Sequence, residues 1–367
     1  MGGICPYLLI PWYPIGVGVN REQRRDFLRA LVRQVRDHDF PYEARTPRGV
    51  DWSAYDKAQI HEVRDMLLLI RDVVDAAWRR LEPSLGSGTN PGLPAVPIAD
   101  LAKAVLVQQY FGVSNREAEG LVLLFQEQLG LTRTFSYKSV ERAYGNPDVR
   151  RVLDELFRLT QLPVLDRETV QAVDGTGMPT SQKVNYESVG RKGRKGGFEK
   201  VLASLGTTYG LYASVIPLEG PDAGESPSFR AVARDLARYT DLKFVVGDAA
   251  FLSRRNCTLV ASLGAQPRFF PKVSSNLKRF RSGAYVRMLH RLVRDPQTWL
   301  REYHVRSLAE SGFSSVKRRD PRPIRRRLKE RKDVEVEARF DVANLRRLCY
   351  LRYLEGIAVD YRNLSST

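Results

Sequence analysis

Four residues toward the C-terminal end have types and spacing suited to phosphate chemistry: Tyr303, Arg306, Glu310 and Lys317. At about 100° per residue, their offsets of 0, 3, 7 and 14 place them within one narrow helical face. An aromatic ring, two cations and a carboxylate make a poor core stripe. They make a good surface for a phosphate held beside a metal-liganding acid, and the plain alternative is a solvated polar face phased by accident. Two aspartates extend the pattern. Asp174 follows the β-prone run Thr169–Val173 and precedes Gly-Thr-Gly, where a sharp turn is expected; Asp248 follows Lys243–Gly247. Strand C-termini of open α/β sheets project side chains into a crevice. Two carboxylates there repel each other unless a cation lies between them, and a hard divalent ion favours such oxygen ligands. Either aspartate alone carries little weight among 42 acidic residues.

The elements that must position these groups read as two regimes. Residues 21–37 form an amphipathic helix, and Ala54 to Leu81 a longer one. In the latter Ile60, Val63, Leu67, Ile70, Val74, Ala77 and Leu81 alternate by three and four, a seam that can pack within the chain or pair two chains. Residues 83–97 are rich in Pro, Gly and Ser and read as a linker. Residues 98–145 then predict three short helices. Ser114 and Glu117 form a capping box for the second, and Ser136 stands where it can cap the third, which presents Lys138, Glu141 and Arg142. This is helix-turn-helix grammar, which serves DNA contact or plain scaffolding.

Beyond Pro147 the pattern turns to strands. Thr169–Val173, then 201–208 and 211–218 flanking Tyr209-Gly210 as a hairpin, then 243–247 and 267–270 alternate with helices at 227–239 and 253–263. A long helix over 296–318 and a terminal one over 340–354 follow, with Gly312 a weak point that lowers helix propensity by roughly 1 kcal/mol against Ala. The fold class is α/β: a mixed sheet covered by helices, preceded by an all-α N-terminal region. The expected organisation is 1–82 helical, 83–97 linker, 98–150 helix-turn-helix-like, and 165–360 catalytic.

Composition narrows the partners. The net charge is +17 over 367 residues. Residues 1–100 are balanced, with 13 basic and 13 acidic side chains, whereas 266–332 carry 20 Lys/Arg against five Asp/Glu. Basicity concentrated in this way suits a polyanion, because each neutralised phosphate releases counterions. Three cysteines far apart and four histidines offer no disulfide scaffold and no zinc spacing, and reduced cytosol is the expected compartment. The apolar segment 1–20 lacks a basic leader and is interrupted by prolines, so it is expected to be an arm rather than a membrane span. Asp174–Gly177 lacks the lysine of a nucleotide P-loop, and Ser253 and Ser311 have no histidine at suggestive spacing.

The motif Tyr-x2-Arg-x3-Glu-x6-Lys, the segments VDGTG and VVGDAAFLSRRN, and the ending FDVANLRRLCYL together resemble the DDE transposases of bacterial and archaeal insertion sequences. The likeness spans about residues 98–355. It implies a ribonuclease-H-like catalytic fold and a metal site in which Asp174, Asp248 and Glu310 match the three carboxylates. By the same analogy Tyr303, Arg306 and Lys317 contact DNA at the transposon end. Two Mg²⁺ ions (Mn²⁺ may substitute) are expected to activate a water or 3′-hydroxyl and to stabilise the leaving 3′-oxygen. Basic segments 183–200, including Arg191, Lys192, Arg194 and Lys195, and 268–294 and 317–332 are expected to hold flanking phosphates. The expected partners are duplex DNA, as transposon ends and target, and a second copy of the chain on DNA. The expected location is the cytoplasm, on the nucleoid. Two alternatives stay open: a DNA-binding protein that has lost catalysis, and a structure-specific nuclease on the same fold.

Overall fold

The computed structural model describes residues 21–40, 49–84, 96–180, 197–219, 223–275, 283–358 and 360–364. The N-terminal arm, most of the expected linker, and Arg191, Lys192, Arg194 and Lys195 lie outside the described residues. Two helices come first, α1 (Arg21–Arg36) and α2 (Trp52–Leu81). The Asp51 side chain caps α2 by accepting from the Ala54 amide at 3.0 Å. The apolar seam of α2 divides in two. Leu67, Ile70, Val74 and Ala77 are buried within the chain, whereas Ile60 is 77% and Val63 47% exposed.

The next helices are α3 (Ile98–Phe111), α4 (Asn115–Leu124), α5 (Gln126–Leu129), α6 (Tyr137–Ala143) and α7 (Pro147–Leu159). The capping box at α4 forms as expected: the Glu117 amide donates to Ser114 Oγ at 3.3 Å and the Ser114 amide donates to Glu117 Oε2 at 2.7 Å. Ser136 occupies the cap position of α6 without a side-chain bond. The Tyr137 amide instead donates to Glu119 Oε2 at 2.8 Å, so a carboxylate from α4 does the capping and ties the two helices together. On α6, Val140 and Ala143 are buried while Lys138, Glu141 and Arg142 face solvent.

The sheet comprises β1 (Val170–Pro179), β2 (Phe198–Gly206), β3 (Tyr212–Pro217), β4 (Phe244–Gly247) and β5 (Gln266–Phe269), ordered β3-β2-β1-β4-β5. The three strands that follow one another directly pair antiparallel, and β4 and β5 add parallel strands beside β1. Helices α8 (Glu225–Leu236) and α9 (Arg254–Ser262) form the crossovers. Their buried Phe229, Val232 and Val260 share a core with Val173, Leu202, Val245 and Phe269 on one face of the sheet.

The remaining helices are α10 (Ala284–Arg294), α11 (Pro296–Tyr303), α12 (Ser307–Arg319) and α13 (Lys329–Leu354). Ala309, Phe313 and Val316 of α12 pack against Ala172, Met178, Ala203 and Val246 on the second face. α13 crosses the molecule, and its Asn344 explains part of the closing motif. Asn344 accepts from the Tyr212 amide at 2.7 Å and donates to the Tyr212 carbonyl at 3.0 Å, stitching the helix to β3. This mixed sheet flanked by helices, behind an all-helical N-terminal region, is a ribonuclease-H-like arrangement.

Several expectations change. Pro147–Leu159 is a helix where strands were expected to begin, and the terminal helix expected over 340–354 starts at Lys329. The long helix expected over 296–318 is broken by a 3₁₀ turn at His304–Arg306. The turn expected at Asp174-Gly-Thr-Gly is absent, because β1 runs on to Pro179. These glycines serve close approach instead. A Cβ on Gly175 would lie 2.5 Å from a Glu225 carboxylate oxygen, and one on Gly177 would lie 3.0 Å from the Phe198 ring.

Candidate active site

Asp174 and Asp248 are brought together by register. The parallel pairing of β1 with β4 ends at Val173 opposite Gly247, so the two aspartates are the next residues of neighbouring strands. Strands lie about 4.8 Å apart, and residues in matching register point to the same face. That face is the one covered by α12, since Ala172 and Val246, two residues earlier, pack with Ala309 and Phe313. Asp174 thus stands inside a strand that outlasts its parallel partner, whereas Asp248 stands at a true strand end. There the Ala250 amide donates to Asp248 Oδ1 at 2.8 Å, fixing the carboxylate at the turn.

Glu310 arrives from above on α12. Arg306 joins it to the strand: its Nη1 lies 2.7 Å from Glu310 Oε1 and 3.6 Å from Asp174 Oδ2. The 3₁₀ turn contributes here, because residues three apart eclipse in that geometry and Arg306 is set directly against Tyr303. The Tyr303 ring is itself buried, 5.3 Å from both Trp299 and Phe270 between ring centroids. Its hydroxyl meets the Arg306 guanidinium, and burial pushes that hydroxyl up to about 12. The stripe read from the sequence is therefore graded. Tyr303 is packed, Arg306 half-buried, Glu310 54% exposed at its side chain, and Lys317 half-buried. Lys317 has no ion pair among the described residues, and burial lowers its pKa.

The electrostatics show a surplus of negative charge. Burial pushes the Asp174 carboxyl up to about 6; the Gly175 amide and Arg306 hold it back, while the charges of Asp248 and Glu310 push it further. One guanidinium thus serves two of the three carboxylates, Asp174 and Glu310. Among the described residues no three His, Cys, Asp or Glu side chains are gathered tightly enough to hold a metal ion, and Arg306 occupies the space between Asp174 and Glu310. The donor set nonetheless fits a hard divalent cation. It offers only oxygens, and a cation would offset both the burial and the neighbouring charges that raise Asp174.

The sequence profile of the family described as "Transposase DDE domain" matches residues 166–340, the stretch that holds all three carboxylates. Residues 166–340 thus form a DDE transposase domain. A similar protein is the probable transposase for insertion sequence element ISA1214 of Archaeoglobus fulgidus, 29% identical over 247 residues, which cover 65% of this chain and 72% of the relative. No described helix of this transposase is long and apolar enough to cross a membrane.

Sequence reasoning missed how this transposase uses the basic run 317–332, which is not uniformly free for phosphate. Arg322 makes two bonds to Asp320, at 2.7 and 2.8 Å. Arg326 lies 3.7 Å over the Tyr144 ring and donates to Gln108 at 3.1 Å and Asn115 at 3.0 Å. Both hold the strap between α12 and α13 in place, and Arg326 clamps it to the helices expected to read DNA. The acid at 320 within the basic run was the available signal, whereas the partners on α3 and α4 are too distant in sequence to infer.

Proposed function

We propose that this DDE transposase cleaves DNA at insertion-sequence ends and joins it to a target through Asp174, Asp248 and Glu310. The observation that carries the reading is the convergence of two register-matched aspartates with a glutamate tied to the first of them by one arginine. Asp174 and Asp248 are the rigid pair, set by the sheet, and Glu310 is the exposed and movable third ligand. Together they would hold Mg²⁺, with Mn²⁺ as a substitute. When bound, such ions supply Lewis-acid stabilisation of the scissile phosphate and a lowered pKa for the attacking water or 3′-hydroxyl.

The chain's own groups do the positioning. Arg306 holds Glu310 over the sheet, and its guanidinium, shared among carboxylates, is available to a phosphate oxygen once a cation takes over their charge. Lys317, two turns further along α12, offers an unpaired ammonium to the flanking backbone. Tyr303 acts through its hydroxyl on Arg306, since its ring is committed to the core. The exposed face of α6, with Lys138 and Arg142, is suited to terminal-repeat bases. Cutting two ends together calls for at least a dimer on DNA.

The test uses inverted repeats found beside the gene as substrate. Glu310→Gln should keep DNA affinity and lose Mg²⁺-dependent cleavage by on the order of 10³-fold or more, as expected when transition-state charge stabilisation is removed. Undiminished cleavage would remove Glu310 from the site. A protein that binds these ends yet never nicks them with either metal would favour the non-catalytic alternative.

A further inference from the structure

A cleft of about 610 Å³ opens between the strap and the α3–α6 helices, away from the carboxylates. Five arginines line it, and they fall into two groups. Arg322 and Arg326 are committed, one to Asp320 and the other to Tyr144, Gln108 and Asn115. Arg325, Arg327 and Arg331 make no ion pair among the described residues. Arg325 and Arg327 are exposed; Arg331 is half-buried against Gly145, and its shielded Nε has no hydrogen-bond partner.

The nearby acids neutralise these three only in part. Glu335 is consumed by the backbone amides of Arg325 and Arg326 and by Arg339. Glu117, held in the α4 capping box by neutral donors, keeps its charge and acts on Arg325, and Glu141 faces the cleft without an ion pair. A surplus of about one positive charge remains on guanidinium forks, whose planar donors match phosphate oxygens. Gly145, where Arg331 rests, follows directly after α6, so the free arginines continue the track begun by Lys138 and Arg142.

We infer that Arg325, Arg327 and Arg331 form a phosphate clamp that grips the backbone of duplex DNA lying on α6, while Arg326 holds the clamp at fixed distance from that helix. This rests on the DNA-acting reading above and assigns its sequence-independent grip to one place. Contacts of this kind set affinity and register, and base edges reached from α6 set choice of sequence.

The experiment is fluorescence anisotropy of short labelled duplexes, one carrying the terminal repeat and one of arbitrary sequence, in EDTA over a series of NaCl concentrations. Each lost phosphate contact makes the slope of log K against log salt less negative by about 0.9. The Arg325→Ala/Arg327→Ala/Arg331→Ala variant should therefore shift the slope by about 2 to 3 on both duplexes, and the triple Lys variant should retain it. Should the triple Ala variant fail to fold, Arg327→Glu on its exposed position should still shift the slope by about 1. An unchanged slope in folded variants, or a loss confined to the terminal-repeat duplex, overturns the clamp. Because no divalent ion is present and no cleavage is read, failure of the cleavage reading leaves this measurement standing.

Discussion

Around Glu335, the buried charges are paired. Its carboxylate accepts from the Arg325 amide at 3.1 and 3.0 Å, from the Arg326 amide at 3.0 Å and from Arg339 Nη2 at 3.0 Å; Arg339 in turn lies 3.2 Å from Asp320. Both side chains of the Glu335–Arg339 pair are 2% exposed. Around Arg306 the balance is different: Asp174 and Glu310 draw on one guanidinium at the mouth of a strand pair, and the charge of Asp248 acts on Asp174 without a share in it. The same residue types thus do two jobs. Where donors and acceptors match, the cluster fixes architecture; where acids outnumber cations and open to solvent, the deficit is filled by something from outside. Charge imbalance, rather than the presence of Arg and Glu, separates a site from a strut.

The contrast can be broken by opposite responses to neutralisation. Glu335→Ala strands two amides and a buried guanidinium, and should lower unfolding free energy by about 3–5 kcal/mol in urea melts. A loss under about 1 kcal/mol would show that the strap does not depend on this network. Asp174→Asn should do the reverse in EDTA, raising stability by about 1–2 kcal/mol by removing a partly buried charge, even as cleavage is lost. A less stable variant would show that the Arg306 contact outweighs the surplus.

A smaller effect lies on the side of α13 that bears Glu337. Burial pushes that carboxyl from 4.5 up to about 7; Arg150, 2.6 Å away, holds it back, while Asp154 and Asp333 push it further. The folded chain binds this proton more tightly than the unfolded one, so the contribution is complete below about pH 4.5 and lost as pH rises to about 7. Glu337→Gln should flatten that limb of the stability–pH curve and leave the variant about 1 kcal/mol more stable at pH 8. A parallel pair of curves would place the titration elsewhere.

Local signals were legible in the sequence and long-range ones were not. The Ser114–Glu117 box and the helix it starts are decided within a few residues, and they formed as expected. The VDGTG segment misled because glycine marks turns and close approaches alike, and only the neighbours Glu225 and Phe198 tell which. The spacing from Tyr303 to Arg306 fits an α-turn and a 3₁₀ turn equally, so the break in the helix left no trace in the pattern. In α2, the heptad from Ile60 to Leu81 described a face correctly but not how far along it the chain would provide cover. The charge of the 317–332 run was plain, yet its division between strut and surface depends on Gln108, Asn115 and Tyr144, some 200 residues away.

Gly312, a weak point for the helix by propensity, governs the reach of the third carboxylate. A Cβ there would come within 2.7 Å of Leu205 and 2.9 Å of the Tyr212 hydroxyl, so α12 rests its bare backbone on the sheet. Any larger residue would act as a shim beneath the helix, lifting Glu310 away from aspartates that the strands cannot move to follow. Loss of activity could then be inherited from a position that touches neither metal nor DNA.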